Sequence, residues 1–303
     1  MNLYYEGVDI TGSVNITRCV HRDVSHGRAD SLEIELDHAA AWHRWGAKTD
    51  DTIRITHDGY DTGILYLNAV YPEGDTFKIL ATSLPGAARR KAWGSYENKS
   101  LFTIVRHCAA ECGLEAKLYG ISAALTYPYI MRRNEGCAAF LDRIGSWEGA
   151  VIKAFNGAFR AIGVEYAQGL EPSRRFTITT EQKGVRYTRR QNTKFSGVTV
   201  SSPYAQATAY DASADVDNHP IMTHLPAFDA AQAMRFARGM LMMHNRKAET
   251  LSIDMSFDAG LTSMIGVEIE GNTEANGRWI IDEVEHDLKN GRSSAKMLRA
   301  LNI

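Results

Sequence analysis

The chain has 303 residues, enough for about two compact domains, and its 44% hydrophobic and 23% charged content excludes disordered and collagen-like classes. Thirty-four basic against 36 acidic residues give a net charge of −2, so no overall basic excess marks a nucleic-acid or anionic-membrane surface and any such binding must be local. No stretch approaches the ~18 apolar residues of a membrane span, and Met1 to Ile10 lacks the basic and apolar regions of a signal peptide. The expectation is a protein made and kept in the cytoplasm, not secreted by a signal peptide and with no membrane partner of its own. Four cysteines, Cys19, Cys108, Cys112 and Cys137, are too sparse for a disulfide framework and are expected as buried reduced thiols.

Residues 1–90 read as a first small β-barrel, closed or nearly so. Leu32 to Leu36 and Thr52 to Ile55 alternate apolar and polar with a period of two, and Asp58-Gly59, Gly63, Gly74-Asp75 and Pro85-Gly86 punctuate them as turns. Trp42 and Trp45, three apart, share one face of the connection between strands. From Ser100 the period lengthens. Leu101, Ile104, Val105, Cys108 and Cys112 predict a helix stopped by Gly113, and Asn134 is the predicted N-cap of a second helix with Cys137, Phe140, Leu141 and Ile144 inward and Gly145 at its end. Asn156-Gly157 between two β-like runs predicts a type I′ hairpin, so 91–165 is a helix-helix-hairpin module.

Residues 166–228 form an irregular β region, contributing to a second barrel or inserted beside it, with strands expected at Phe176 to Thr180 and Val198 to Val200. Asp229 and Gln232 match a capping box, opening a helix with Ala233, Met234, Ala237, Met240 and Leu241 on its apolar face. The remainder of 229–303 returns to strands as the second β-barrel.

An internal repeat organises these pieces. Ile53 to Val70 aligns without a gap on Val267 to Val284 at an offset of 214, with Gly63 over Gly277. The preceding strand Leu32 to Leu36 matches Leu251 to Met255, and the following Phe77 to Ala81 matches Ala295 to Arg299. The fold class expected is α+β, mainly β: two similar small β-barrels with an inserted helical and hairpin module.

These residues resemble the phage late control gene D family, the baseplate hub proteins of contractile tails, related to the hub part of type VI secretion spikes. The resemblance rests on Arg28 to Leu36, the Trp42 and Trp45 stretch and Thr62-Gly63. In the middle it rests on Asn98 to Leu101, Arg133-Asn134-Glu135 and Phe140 to Ile144. Near the end Asn245-Arg246, Gly277-Arg278-Trp279 and Val284-Glu285-His286 fit. It implies a structural protein with no catalysis and no cofactor: a homotrimeric adaptor between the sixfold tail tube and the central spike. Tail tube and spike proteins are the implied partners, with the tape-measure and other baseplate proteins beyond them. The implied location is the baseplate of a virion or injection particle assembled in the bacterial host cytoplasm. Longer members append a lysozyme-like domain or a β-helical needle, and this chain is expected to leave those parts to other chains.

The chemistry-bearing residues add little to set against that reading. The histidine pairs His21/His26, His38/His43 and His219/His224 are each five apart, without the three- or four-residue spacing of helical metal ligands, and Cys108 with Cys112 lacks a nearby second pair. No nucleophile elbow or phosphate loop is present. Asp50/Asp51 and Glu283/Glu285 are carboxylate pairs of little specificity. A cell-wall-polymer enzyme and a single-stranded nucleic-acid binder are the alternative functions. The second draws on the basic segment Arg174 to Lys194, with Arg174, Arg175, Arg186, Arg189 and Arg190 near Phe176 and Tyr187, and such a strip suits an acidic protein partner or a solvated hairpin better. Arg89-Arg90-Lys91 beside Trp93 allows the same two readings. Met234, Met240, Met242 and Met243 suit core packing before a binding groove. Trp42, Trp45 and the five arginines are the candidate interface residues.

Overall fold

A computed structural model describes residues 1–37, 46–179, 182–214, 217–271 and 274–301. Its first principal strands are β1 (Asn2–Tyr5), β2 (Asn15–Val24), β3 (Ser31–Asp37), β4 (Thr52–His57), β5 (Leu65–Glu73) and β6 (Thr76–Thr82). Alternation sends Leu32, Ile34 and Leu36, Ile53 and Ile55, and Phe77, Ile79 and Ala81 into one buried core with Leu3 and Leu67. The strands pair in the order β2-β3-β6-β5-β4-β1, each neighbour antiparallel.

The middle module begins with β7 (Ala92–Ser100), which leads into α1 (Leu101–Glu111). The Ser100 hydroxyl caps that helix by accepting from the Thr103 N–H at 3.1 Å, and Gly113 turns the chain beyond it at φ 68°, as expected. After β8 (Glu115–Tyr119), β9 (Thr126–Glu135) returns along β7 as a two-stranded ribbon. Asn134 is not a helix cap: it takes φ 53° in the irregularity of β9 between Arg133 and Glu135, and Gly136 is the N-cap of α2 (Cys137–Trp147). Nor does Gly145 end α2. The helix runs on to Trp147, and Gly149 at φ 62° makes the turn into β10 (Ala150–Phe155). Asn156 and Gly157, at φ 46° and 71°, then form the expected hairpin to β11 (Ala158–Gly163), whose other edge takes β8 in parallel. The hairpin tip rests on the first unit: Asn156 Oδ1 accepts from the Ile64 N–H at 3.2 Å, and a Cβ on Gly63 would lie 2.9 Å from the Asn156 Cβ.

A short helix, α3 (Val164–Gly169), precedes β12 (Arg174–Thr177) and β13 (Val185–Arg189). Next come β14 (Gly197–Ser201) and β15 (Gln206–Tyr210), then α4 (Ala230–Asn245). Asp229 caps α4 by accepting from the Gln232 N–H at 2.7 Å, while Gln232 Oε1 reaches back to the Phe228 N–H at 2.9 Å, one residue beyond the expected box. Val198, Val200 and Ala209 pack with Phe236, Ala237 and Leu241 of α4 onto the middle module in one continuous core. Met234, assigned to the apolar face of α4, is 40% exposed, and Phe236 is the large side chain buried there. The chain closes with β16 (Glu249–Ser256), β17 (Gly266–Glu270), β18 (Gly277–Asp287) and β19 (Arg292–Arg299), paired in the order β13-β16-β19-β18-β17-β12.

That order repeats the first unit strand for strand. Ile53 faces Leu65 and Thr52 faces Tyr66; 214 residues later Val267 faces Trp279 and Gly266 faces Ile280. Both copies carry an irregularity at the same place, between Leu67 and Ala69 and between Ile281 and Glu283. Leu32 opposite Ala81 becomes Leu251 opposite Met297, so Leu32 to Leu36 matches Leu251 to Met255 as aligned, but Ala81 matches Met297 and not Arg299. The two-residue error keeps the same strand face because side chains alternate with period two. The copies differ in their sixth strand, since β1 runs antiparallel to β4 whereas β12 runs parallel to β17.

The class is α+β and mainly β, as expected. Among the described residues, however, the strand pairing is an open path and not two separate closed rings: β2 pairs on its outer edge with the C-terminal half of β18, fusing both units into one 14-stranded sheet.

Candidate functional site

The seam between the two units buries a cluster of polar side chains. In β2, alternation that buries Cys19 also buries His21 and Asp23, and His21 sits directly opposite His286 of β18. His21 Nδ1 lies 2.7 Å from the Tyr60 hydroxyl, and the Tyr60 ring packs 4.4 Å from that of His286. The Leu261 carbonyl, 3.0 Å from His286 Nε2, can only accept, so that nitrogen carries the proton and Nδ1 accepts from the Ser293 hydroxyl at 2.8 Å. Burial is the main reason both imidazoles stay neutral: it holds His21 down at about 4 against the opposing pull of Asp23, and lowers His286 as well.

Below the histidines one cation ties three parts of the chain together. Lys153 enters from β10 of the middle module and pairs with Asp23 of β2, with Asp30 at 3.2 Å and with the Ser263 hydroxyl at 2.7 Å. Ser263, in the connection before β17, closes the ring by donating its N–H and hydroxyl to Asp23 at 2.9 and 2.6 Å. Burial opposes the ionisation of Asp23, but Lys153 and the hydrogen bonds of Lys153 and Ser263 bring it below the usual carboxylate range. Asp30 lacks that much help, and burial pushes it up. Farther along, Arg246 at the end of α4 is buried and reaches Asp282 at 3.1 Å, where Ser25 also donates at 2.5 Å. Asp282 sits in the β18 irregularity, and its counterpart Asn68 in β5 likewise accepts an arginine, Arg89, at 2.7 Å.

The outer face of the seam is ionic. Arg22 holds Glu283 at 3.1 Å and also Glu285, and Arg28 holds Glu283 at 2.8 Å. The two glutamates flagged in the sequence are therefore partners of arginines on an outward strand face. Asp50 and Asp51 likewise serve turns, accepting from Gly86 N–H at 2.7 Å and Lys48 N–H at 2.6 Å. Cys19, Cys108, Cys112 and Cys137 are buried and unpaired by disulfide; burial pushes the Cys19 thiol up to about 12, where it is inert as a nucleophile. Among the described residues no cluster of His, Cys, Asp and Glu is arranged to hold a metal, and no helix is long and apolar enough to cross a membrane. This arrangement joins the two units.

The structure splits the basic segment expected to act as one strip. Arg174 and Arg175 lie on β12, paired with Asp258 at 3.0 Å and Glu270 at 3.3 Å, while Arg186 and Arg189 lie on β13 beside β16, with Arg189 3.6 Å from Glu249 and Arg190 just beyond. The two strands pair with different neighbours and form no hairpin. β13 lies at one end of the strand path of the 14-stranded sheet, and among the described residues no strand pairs with its outer edge. Trp42 and Trp45 fall outside the described residues. The seam, the histidine pair and the lysine lock were not singled out from sequence. One signal was present: Lys153 interrupts the apolar run Ala150 to Phe155, and a lysine buried in such a strand requires an acidic partner.

The prophage MuSo2 43 kDa tail protein from Shewanella oneidensis superposes with a TM-score of 0.76 at 12% identity, over 99% of this chain and 98% of that one. The tail protein from Neisseria meningitidis MC58 gives 0.77 at 11% identity, over 98% and 95%. The chain has the fold of these phage tail proteins. The E. coli c3393 protein, a component of the type VI secretion system with structural similarity to the T4 tail proteins gp27 and gp5, matches at 0.60 and 10% identity, over 99% of this chain and 77% of that one. No family model matches the chain, and no curated protein matches it in sequence.

Proposed function

We propose that the chain is a structural baseplate hub protein of a phage or phage-like contractile tail, akin to the late control gene D family. In this reading it is a non-catalytic homotrimeric adaptor between the sixfold tail tube and the central spike, located in the baseplate of a particle assembled in the host cytoplasm. The fold shared with phage tail proteins supports it. The observation that carries it is the seam.

Inside one chain, the outer edge of β2 in the first copy pairs with the C-terminal half of β18 in the second. Among the described residues, the equivalent surfaces left open are the outer edge of β13 in the second copy and the C-terminal half of β5 in the first. Joining one chain to the next by the same operation sets Val70 opposite Arg189 and Tyr71 opposite Thr188, the counterparts of Val284 opposite Asp23 and Glu285 opposite Arg22. Tyr71 is 48% exposed in the single chain. Three chains joined so place six similar units around one axis and match a threefold object to a sixfold ring. Pro72, on the same open edge, withholds one N–H and discourages indiscriminate strand pairing before assembly.

The register makes the test specific. Backbone bonds from Ser25 N–H to the Asp282 carbonyl and from Leu288 N–H to the Cys19 carbonyl show which seam pairs exchange hydrogen bonds. By the same alternation Arg22 and Glu285 form a non-hydrogen-bonded pair, the closer kind in which cross-strand cysteines bridge. A Tyr71→Cys/Thr188→Cys chain is therefore expected to oxidise to a covalently closed trimer, alone or once spike or tube protein is added, and neither single variant should do so. Light scattering should report a trimer under the same conditions. A stable monomer or dimer throughout, with no complex formed, would reject the hub reading.

A further inference from the structure

Between the first unit and the middle module lies a groove of about 630 Å³, next to the seam. Its floor is small and apolar: Ala138 and Ala139 of α2, Ile152 and Ala154 of β10, and Phe159 of β11. Its rim is cationic. Arg28, Arg143 and Lys153 reach it already neutralised, by Glu283, Glu135 and the Asp23/Asp30 pair. Arg89 and Lys91 are not: Arg89 hydrogen-bonds only the neutral oxygens of Asn68 and Thr82, at 2.7 and 3.2 Å, and Lys91 has no carboxylate within 4 Å among the described residues. Asp142 is the one carboxylate on the lining.

The cationic rim continues out of the groove along β7. Two residues beyond Lys91, Trp93 is 70% exposed, and its register partner across the ribbon is Arg133, also exposed, with Glu135 near it but no carboxylate within 4 Å of its guanidinium among the described residues. Arg90, between Arg89 and Lys91, is exposed in the same way. An exposed tryptophan with one cation two residues before it and another opposite it, beyond the end of a trough floored by small apolar side chains, matches the composition of a binding hot spot and not of a solvated face.

We propose that this groove is a docking site for an acidic, extended segment of a partner protein, in which apolar side chains fill the alanine floor and carboxylates meet Arg89, Lys91 and Arg133. A nucleic acid fits less well. A phosphate track needs a continuous run of free cations along an open path, whereas here the free cations are few, three others are already neutralised, and the recess is shaped for side chains. This site is independent of the hub reading, because it shares no residue with the open edges of β5 and β13.

The test uses the full chain and two labelled probes of equal length, an octapeptide alternating glutamate and leucine and an oligothymidine octamer, followed by fluorescence anisotropy. The expected result is saturable peptide binding that weakens as salt is raised and falls by about tenfold or more in Lys91→Glu, as the loss of one charge pair and creation of a like-charge contact requires. Ala139→Trp, which fills the floor from an exposed helix position and leaves every charge in place, should abolish binding with the thermal midpoint unchanged. Absence of saturable peptide binding, binding undiminished in Ala139→Trp, or oligothymidine binding as tight as the peptide would each overturn the proposal.

Discussion

Replacing Lys153 by methionine is the sharpest perturbation of the junction, because it keeps the stem of the side chain and removes only the charge that Asp23, Asp30 and Ser263 surround. Two buried carboxyls are then left without a counterion, and breaking a buried pair in this way costs about 3–5 kcal/mol. For 303 residues, an unfolding entropy of about 2.1 cal/mol/K per residue gives about 0.64 kcal/mol/K, so the thermal midpoint should fall by about 5–8 °C. The pH dependence separates lost charge from lost packing. Without Lys153, burial raises both carboxyls above their unfolded range near 4; the penalty is then absent below about pH 4 and grows as pH rises toward the folded values. Calorimetric or urea unfolding should therefore show a much larger defect near pH 8 than near pH 5, and adding Asp23→Asn and Asp30→Asn should recover part of it. A loss below about 1 kcal/mol, or one equal at both pH values, would refute the argument that charge compensation is what Lys153 provides.

Three further outcomes follow from other parts of the fold. Burial holds His21 at about 4 in the folded chain, below its unfolded value of about 6.5, so its contribution is complete above that value and is lost as pH falls toward 4; from pH 7 to 4.5 wild type should lose about 2 kcal/mol relative to His21→Asn in urea titrations. Gly239 of α4 passes so close to the end of α2 that a Cβ would lie 2.1 Å from the Trp147 carbonyl oxygen and 2.5 Å from Gly149 N; Gly239→Ala should lower the urea midpoint by about 1–3 kcal/mol in stability, despite alanine's better helix propensity. Denatured, unreduced protein should titrate with four thiols, and a smaller number restored by reductant would reveal a disulfide.

What the sequence disclosed was local. Ser100 and Gly113 bound α1, Asn156-Gly157 makes a hairpin, and the alternation of Leu32 to Leu36 locates both a buried face and its repeat, because caps, turn angles and period two are properties of a few consecutive residues. The errors arose where chain neighbours do not decide. Asn134 has the chemistry of a helix cap, but a strand irregularity claims its positive φ. Placing Phe77 to Ala81 on Ala295 to Arg299 overshoots by two residues: the turn between β18 and β19 is only two residues longer than that between β5 and β6, so the insertion is half what that alignment requires, and face parity hides the slip. The arginines of 174–190 read as one strip in sequence, yet β12 joins β17 in parallel and β13 joins β16. Of the interface candidates, Arg186 and Arg189 lie on the terminal strand and the tryptophans are not described. The pairing of β2 with β18 joins residues more than 250 apart, and nothing in local pattern announces it; only Lys153, stranded in an apolar run, hinted at a distant partner.

The seam has a kinetic consequence that follows from its being intramolecular. A junction formed between two segments of one polypeptide closes at an effective concentration of order millimolar, whatever the amount of protein in solution. In the proposed ring, half of the six junctions are therefore made during folding of single chains, and only the other half depend on how much protein is present. Such a ring needs two bimolecular encounters where six separate units would need five, and its slow, concentration-dependent steps are confined to one type of junction, the one that carries Pro72. Duplication within a chain thus turns part of a problem of assembly into a problem of folding.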